Sequence, residues 1–126
     1  MMEKDFYAPI GAYYLQHTTN SMGIEVKITK TDRLSFKAVT ERQEEKLLKA
    51  EAALYHKEPD IGLAPKNFDI YILHKATAVV FVVYWKPREK ECYEIPIRNW
   101  IKEKYESGEK SLTKERAAMI GKRIEI

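Results

Sequence analysis

Met22-Gly23-Ile24-Glu25-Val26-Lys27-Ile28-Thr29 alternates apolar and polar residues, which is the period of a half-buried β-strand. Ile24, Val26 and Ile28 then leave one face toward a core, while Glu25 and Lys27, two apart, leave the other together. A carboxylate and an ammonium side by side on a strand have two readings. They form an ordinary surface ion pair, or they hold a divalent metal and a phosphate next to each other.

The strand is followed by a turn at Asp32-Arg33, a short extended piece at Leu34-Ser35-Phe36, and the clearest helical pattern in the chain, residues 38–56. Val39, Leu47, Ala50 and Leu54 recur at helical spacing, and Glu41, Glu44, Glu45 and Lys49 are assigned to the opposite, solvated face. Gln43 falls within the apolar stripe, four after Val39 and four before Leu47. Thr40-x-x-Gln43 has capping-box spacing, so Gln43 bonds back to the helix start, or it faces the sheet and reaches the Glu25/Lys27 edge.

Before the strand, Pro9 and Gly11 argue against a long helix, so residues 3–16 are expected to be a short helical or irregular arm with a strand through Ala12–Gln16. After the helix, Pro59, Gly62 and Pro65 make Lys57–Asn67 a loop, and Phe68–Leu73 alternates as a strand. A turn at Lys75-Ala76 leads to Val79–Trp85, apolar on both faces and therefore a central strand covered on both sides. Lys86–Lys90 reads as a hairpin connection, Cys92–Ile97 as a strand, and Arg98–Tyr105 as a short helix packing through Trp100, Ile101 and Tyr105 and ended by Ser107-Gly108. Thr113 or Ser111 caps a last helix through Ile120, Gly121 stops it, and Arg123–Ile126 adds a terminal strand. The order predicts one α/β (α+β) domain over residues 1–126, with a central mixed sheet flanked by helices.

Composition agrees. With 44% hydrophobic and 33% charged residues the chain is expected to be globular, and 126 residues suffice for one core. No apolar run approaches the roughly 20 residues of a membrane helix, and no signal peptide is expected at Met1–Asp5. The single cysteine, Cys92, excludes an intrachain disulfide and reads as an inert buried thiol. A cytoplasmic location is expected. The net charge of +3 permits nucleic acid as a partner without demanding it.

The ordered set Gly23-Ile24-Glu25-Val26-Lys27-Ile28-Thr29, Leu34-Ser35-Phe36, Arg42-Gln43 and Leu47 resembles the core of the PD-(D/E)XK nucleases. The closest likeness is to the Holliday junction resolvase-like group that includes recombination protein U and its small phage and viral relatives. Tyr55-His56-Lys57, Lys66-Asn67-Phe68-Asp69 and Lys110-Ser111-Leu112-Thr113-x-x-Arg116-Ala117 extend the resemblance over residues 22–120. It implies a restriction-endonuclease-like core and a homodimer cutting branched, four-way-junction DNA with Mg2+ or Mn2+. It makes Glu25 a metal ligand, Lys27 the residue at the attacked phosphate or water, and Gln43 the auxiliary polar residue of the helix.

The family places an Asp before Glu-x-Lys, whereas residues 11–23 contain no acid; position 42 is Arg where the family has His. Glu3 or Asp5, folding back, is the candidate second carboxylate. The same fold with an impaired metal site, holding DNA or a protein partner, is the alternative, and a small interaction domain with a plain Glu25–Lys27 salt bridge is a third.

Other residues keep two readings. Lys57, Lys66, Lys110 and Arg116 touch phosphates, the last two within a basic C-terminal region with Lys114, Lys122 and Arg123, or they keep the surface solvated. Asp69 is an added ligand or a loop cap, Asp60 a turn acid, and His17 a ligand, a base or a polar turn residue. Tyr13, Tyr14, Tyr84 and Trp85 are assigned to packing.

Overall fold

A computed structural model describes residues 2–19, 21–52, 54–57, 70–73 and 76–126, with backbone alone for 54–57 and 70–73. The chain opens with a 3-10 turn, Glu3–Phe6, running directly into α1 (Tyr7–His17). The strand expected at Ala12–Gln16 is therefore helix. Phe6, Ile10 and Tyr14 are spaced by four and all buried, so one helical stripe covers the segment despite Pro9. Pro9 sits in the first turn, where its missing N–H costs no intrahelical bond.

β1 (Met22–Thr29) pairs in parallel with β5 (Thr77–Lys86), and β5 pairs antiparallel with β6 (Glu89–Pro96) across the two-residue Pro87-Arg88 turn. β8 (Lys122–Ile124) completes a four-stranded sheet of order β1-β5-β6-β8. This is the mixed α+β sheet the sequence implied. Along β5, Ala78, Val80, Val82 and Tyr84 enter one core, and Phe81 and Val83 the other, all nearly without solvent contact. A strand buried on both faces needs that near-continuous apolar run.

Between β1 and β5 lie β2 (Arg33–Ser35), a 3-10 turn at Phe36–Ala38, α2 (Glu41–Glu51), and the antiparallel pair β3 (Leu54–Lys57) and β4 (Ile70–Leu73). The helix expected over 38–56 is thus shorter at both ends. Val39 is extended and buried before the cap, and Leu54 to Lys57 pair with β4 instead of continuing the helix. No Gly or Pro marks that stop in the sequence; strand pairing decides it. Most of the expected loop Lys57–Asn67, with Asp60 and Lys66, lies outside the described residues, as do Phe68 and Asp69 of the expected strand and Lys75.

α3 (Ile97–Glu106) follows β6 without a break, and β7 (Ser111–Thr113) pairs with β2. In α4 (Lys114–Ile120) Thr113 is the cap, its hydroxyl accepting from the Arg116 N–H at 3.2 Å. Gly121 ends α4 in extended backbone, and its lack of a side chain is required by proximity: a Cβ there would lie 2.5 Å from the Glu94 carbonyl oxygen. Among the described residues no helix is long and apolar enough to cross a membrane.

Candidate active site

β1 is an edge of the sheet, and Gly23, Glu25 and Lys27 share its face toward α2. Gly23 makes this face approachable. A Cβ there would sit 3.2 Å from the Ala50 Cβ and 3.7 Å from the Leu47 Cδ2, so the bare backbone lets α2 settle close against the strand. With α2 seated, its first turn arrives over Glu25.

There Gln43 performs both roles that its position left open. Its backbone N–H donates to the Thr40 hydroxyl at 3.2 Å, and its Oε1 accepts from the Thr40 N–H at 3.0 Å, completing a capping box. Because that N–H can only donate, it fixes the amide so that Nε2 points outward. Nε2 then donates to Glu25 Oε1 at 2.9 Å. One side chain caps the helix and binds the carboxylate on the sheet edge.

Lys27 Nζ lies 3.2 Å from the same Glu25 oxygen and 3.9 Å from Glu3 Oε1. The Lys27 side chain is only 13% exposed, against 27% for Glu25 and 37% for Glu3, so the ammonium is the enclosed member and the carboxylates open toward solvent. Glu3 arrives because Phe6 anchors the N-terminal turn in the core on the other face of β1, which carries the chain round the sheet edge. Asp5 is spent differently: its Oδ2 accepts from the Met2 N–H at 2.7 Å, capping its own turn. Of the two acids expected to fold back, Glu3 reaches the Lys27 ammonium.

Among the described residues, no group of three His, Cys, Asp or Glu side chains gathers as a metal site. Magnesium, however, commonly binds through one or two carboxylates together with waters and substrate phosphate, and Glu25 with Glu3 around one ammonium fits that donor chemistry.

The remaining candidates lie elsewhere. Lys110 is exposed, its carbonyl accepting from the Phe36 N–H at 3.1 Å beside the β2–β7 pair. Arg116 grips Glu103 with two bonds of 2.8 Å, which joins α4 to α3 and holds the Glu103 carboxyl below its usual range. Lys57 lies in β3, with its backbone alone described. His17 ends α1, its Nδ1 2.7 Å from the Tyr13 carbonyl and its ring stacked on Tyr13, in a hollow with Tyr14, Met22 and Glu94 on the sheet face opposite Glu25. Tyr14 and Tyr84 are buried as expected, and Tyr13 and Trp85 pack partly buried against the α1 core.

One group went unread in the sequence. Glu44, assigned to the solvated face, is buried, and its carboxylate accepts from Trp100 Nε1 at 3.1 Å, Lys104 Nζ at 3.0 Å and the Tyr105 hydroxyl at 3.0 Å. The available signal was on α3, where Trp100, Lys104 and Tyr105, spaced four and five apart, put three donors on one face.

No family model, no curated protein and no solved structure matches this chain.

Proposed function

We propose that the protein is a metal-dependent endonuclease that hydrolyses phosphodiester bonds of branched DNA, in the manner of a Holliday junction resolvase, and acts as a homodimer. The observation that carries this reading is the convergence on Glu25: the Gln43 amide and the Lys27 ammonium meet one carboxylate oxygen from two different elements. A mere surface ion pair needs no fixed amide from a helix cap.

Glu25, with Glu3 on the other side of the Lys27 ammonium, would hold magnesium or manganese. Bound there, such an ion would supply acidity to a water and positive charge at the phosphate. Lys27, enclosed and charged, stays on the carboxylates until substrate arrives and then faces the scissile phosphate, where a fixed cation counts most as negative charge grows. Gln43 keeps the Glu25 carboxylate turned and orients a water without adding charge. Resolving a four-way junction takes two symmetric cuts, which is the reason for a two-fold dimer.

The test is a synthetic four-way junction incubated with the protein and magnesium or manganese. Paired symmetric nicks are expected, with Glu25→Gln and Lys27→Ala each abolishing cutting while junction binding persists. Binding without cutting in any divalent ion would replace this reading with a nuclease-fold module that holds DNA. No salt-sensitive binding at all would leave a small interaction domain.

A further inference from the structure

We infer that Glu44 and Lys104 are positioning residues for the site: they fix the first turn of α2 so that the Gln43 amide meets Glu25. The inference rests on the nuclease reading for its consequence in catalysis, although its geometry stands apart from it.

Gln43 and Glu44 are neighbours on one helical turn and point to different partners, Gln43 to β1 and Glu44 to α3. All three donors to Glu44 come from α3. Lys104 adds a second hold, donating to the Val39 carbonyl at 3.1 Å, immediately before the Thr40 cap. The start of α2 is therefore gripped on either side of the cap by one ammonium. A buried carboxylate with one ammonium and two neutral donors is a costly way to join two helices, since well-packed apolar residues do it as well or better. What such a cluster adds is direction. A small rotation of α2 about its axis would carry Nε2 out of bonding range of Glu25, and hydrogen bonds lose strength steeply with misalignment.

The protein carries its own control. Arg98 and Glu51 form a second α2–α3 ion pair, at the far end of α2. Breaking it removes a tie between the same two helices without touching the turn that bears Gln43.

The experiment compares Glu44→Gln, Lys104→Met, Tyr105→Phe and Glu51→Gln by NMR, with the Gln43 side-chain amide signal assigned by its loss in Gln43→Leu. In Glu44→Gln and Lys104→Met the Gln43 amide should move toward the position of a free glutamine and exchange with water several-fold faster. Tyr105→Phe, the mildest change, should move it part of the way. Glu51→Gln should leave it in place even where it lowers Tm. On junction substrate, Lys104→Met should reduce kcat about tenfold or more with KM held, as expected of a misplaced catalytic group. A folded Glu44→Gln or Lys104→Met protein with lowered Tm and an unmoved Gln43 signal would overturn the inference. If Glu44→Gln does not fold, Lys104→Met and Tyr105→Phe decide the matter by the same readout. A moved Gln43 signal in a protein whose wild type never cuts would uphold the positioning and remove the nuclease reading alone.

Discussion

On one face of the central sheet, Phe6, Ile10 and Tyr14 lie over Val26, Phe81, Val83 and Cys92, and the contact is almost wholly apolar. On the other face, α2, α3 and α4 cover Val80, Val82 and Ile95, but that layer also encloses Glu44 and, at the edge strand, presents Glu25, Lys27 and Gln43. The α1 face holds its shape by close packing, which tolerates small rotations as long as volume is filled. The α2 face holds its shape by directed bonds whose ends must meet. β1 belongs to both, with Val26 committed to the first and Glu25 and Lys27 to the second. On the proposed reading, the alternation of β1 puts packing on one face and chemistry on the other.

That separation predicts opposite responses on the two sides. Phe81→Ala, in a fully buried position beneath α1, should cost about 3–5 kcal/mol in urea denaturation, and on the proposed nuclease reading the protein that remains folded should keep the wild-type cutting rate. Lys27→Ala should do the reverse. On the proposed nuclease reading, its loss should abolish cutting and change unfolding free energy by less than about 1 kcal/mol. Equal damage to both quantities from either variant would break the division between the faces.

A smaller effect tests a polar tie under α1. The Tyr14 hydroxyl donates to Glu94 Oε1 at 2.5 Å, and burial, then that bond, push the phenol well above its usual range. A raised pKa stabilises the fold below the unfolded value near pH 10 and loses that contribution as pH rises further. Tyr14→Phe should cost about 1 kcal/mol at neutral pH. Above pH 10 its stability should fall less steeply than that of wild type, as followed by circular dichroism. The smallest effect concerns Cys92, whose thiol burial pushes up to about 11. It should stay protonated at pH 7 and resist alkylation in the native protein, reacting within minutes once urea unfolds the chain.

Much of this architecture is written locally. The alternation of Met22–Thr29, the doubly apolar run of β5, the Thr40-x-x-Gln43 box and the Thr113 cap each depend on residues a few positions apart, and backbone period and capping valence act at that range. These features, and Glu25 and Lys27 as a pair, were legible. Pro9 and Gly11 obscured α1 because breakers are read locally, whereas its stability comes from the Phe6, Ile10 and Tyr14 stripe meeting a sheet far along the chain. The end of α2 was hidden for the same reason, set by pairing with β4.

The sequence by itself determined which residues could meet; only the tertiary structure decided which of them do. Gln43 finds Glu25 18 residues away, and Lys104 finds Glu44 across 60. Glu3, rather than Asp5, comes to Lys27 because Phe6 pins the turn between them. A side chain's type fixes what it can donate or accept. Its partner depends on the distance left after the helices have packed, and no local pattern encodes that distance.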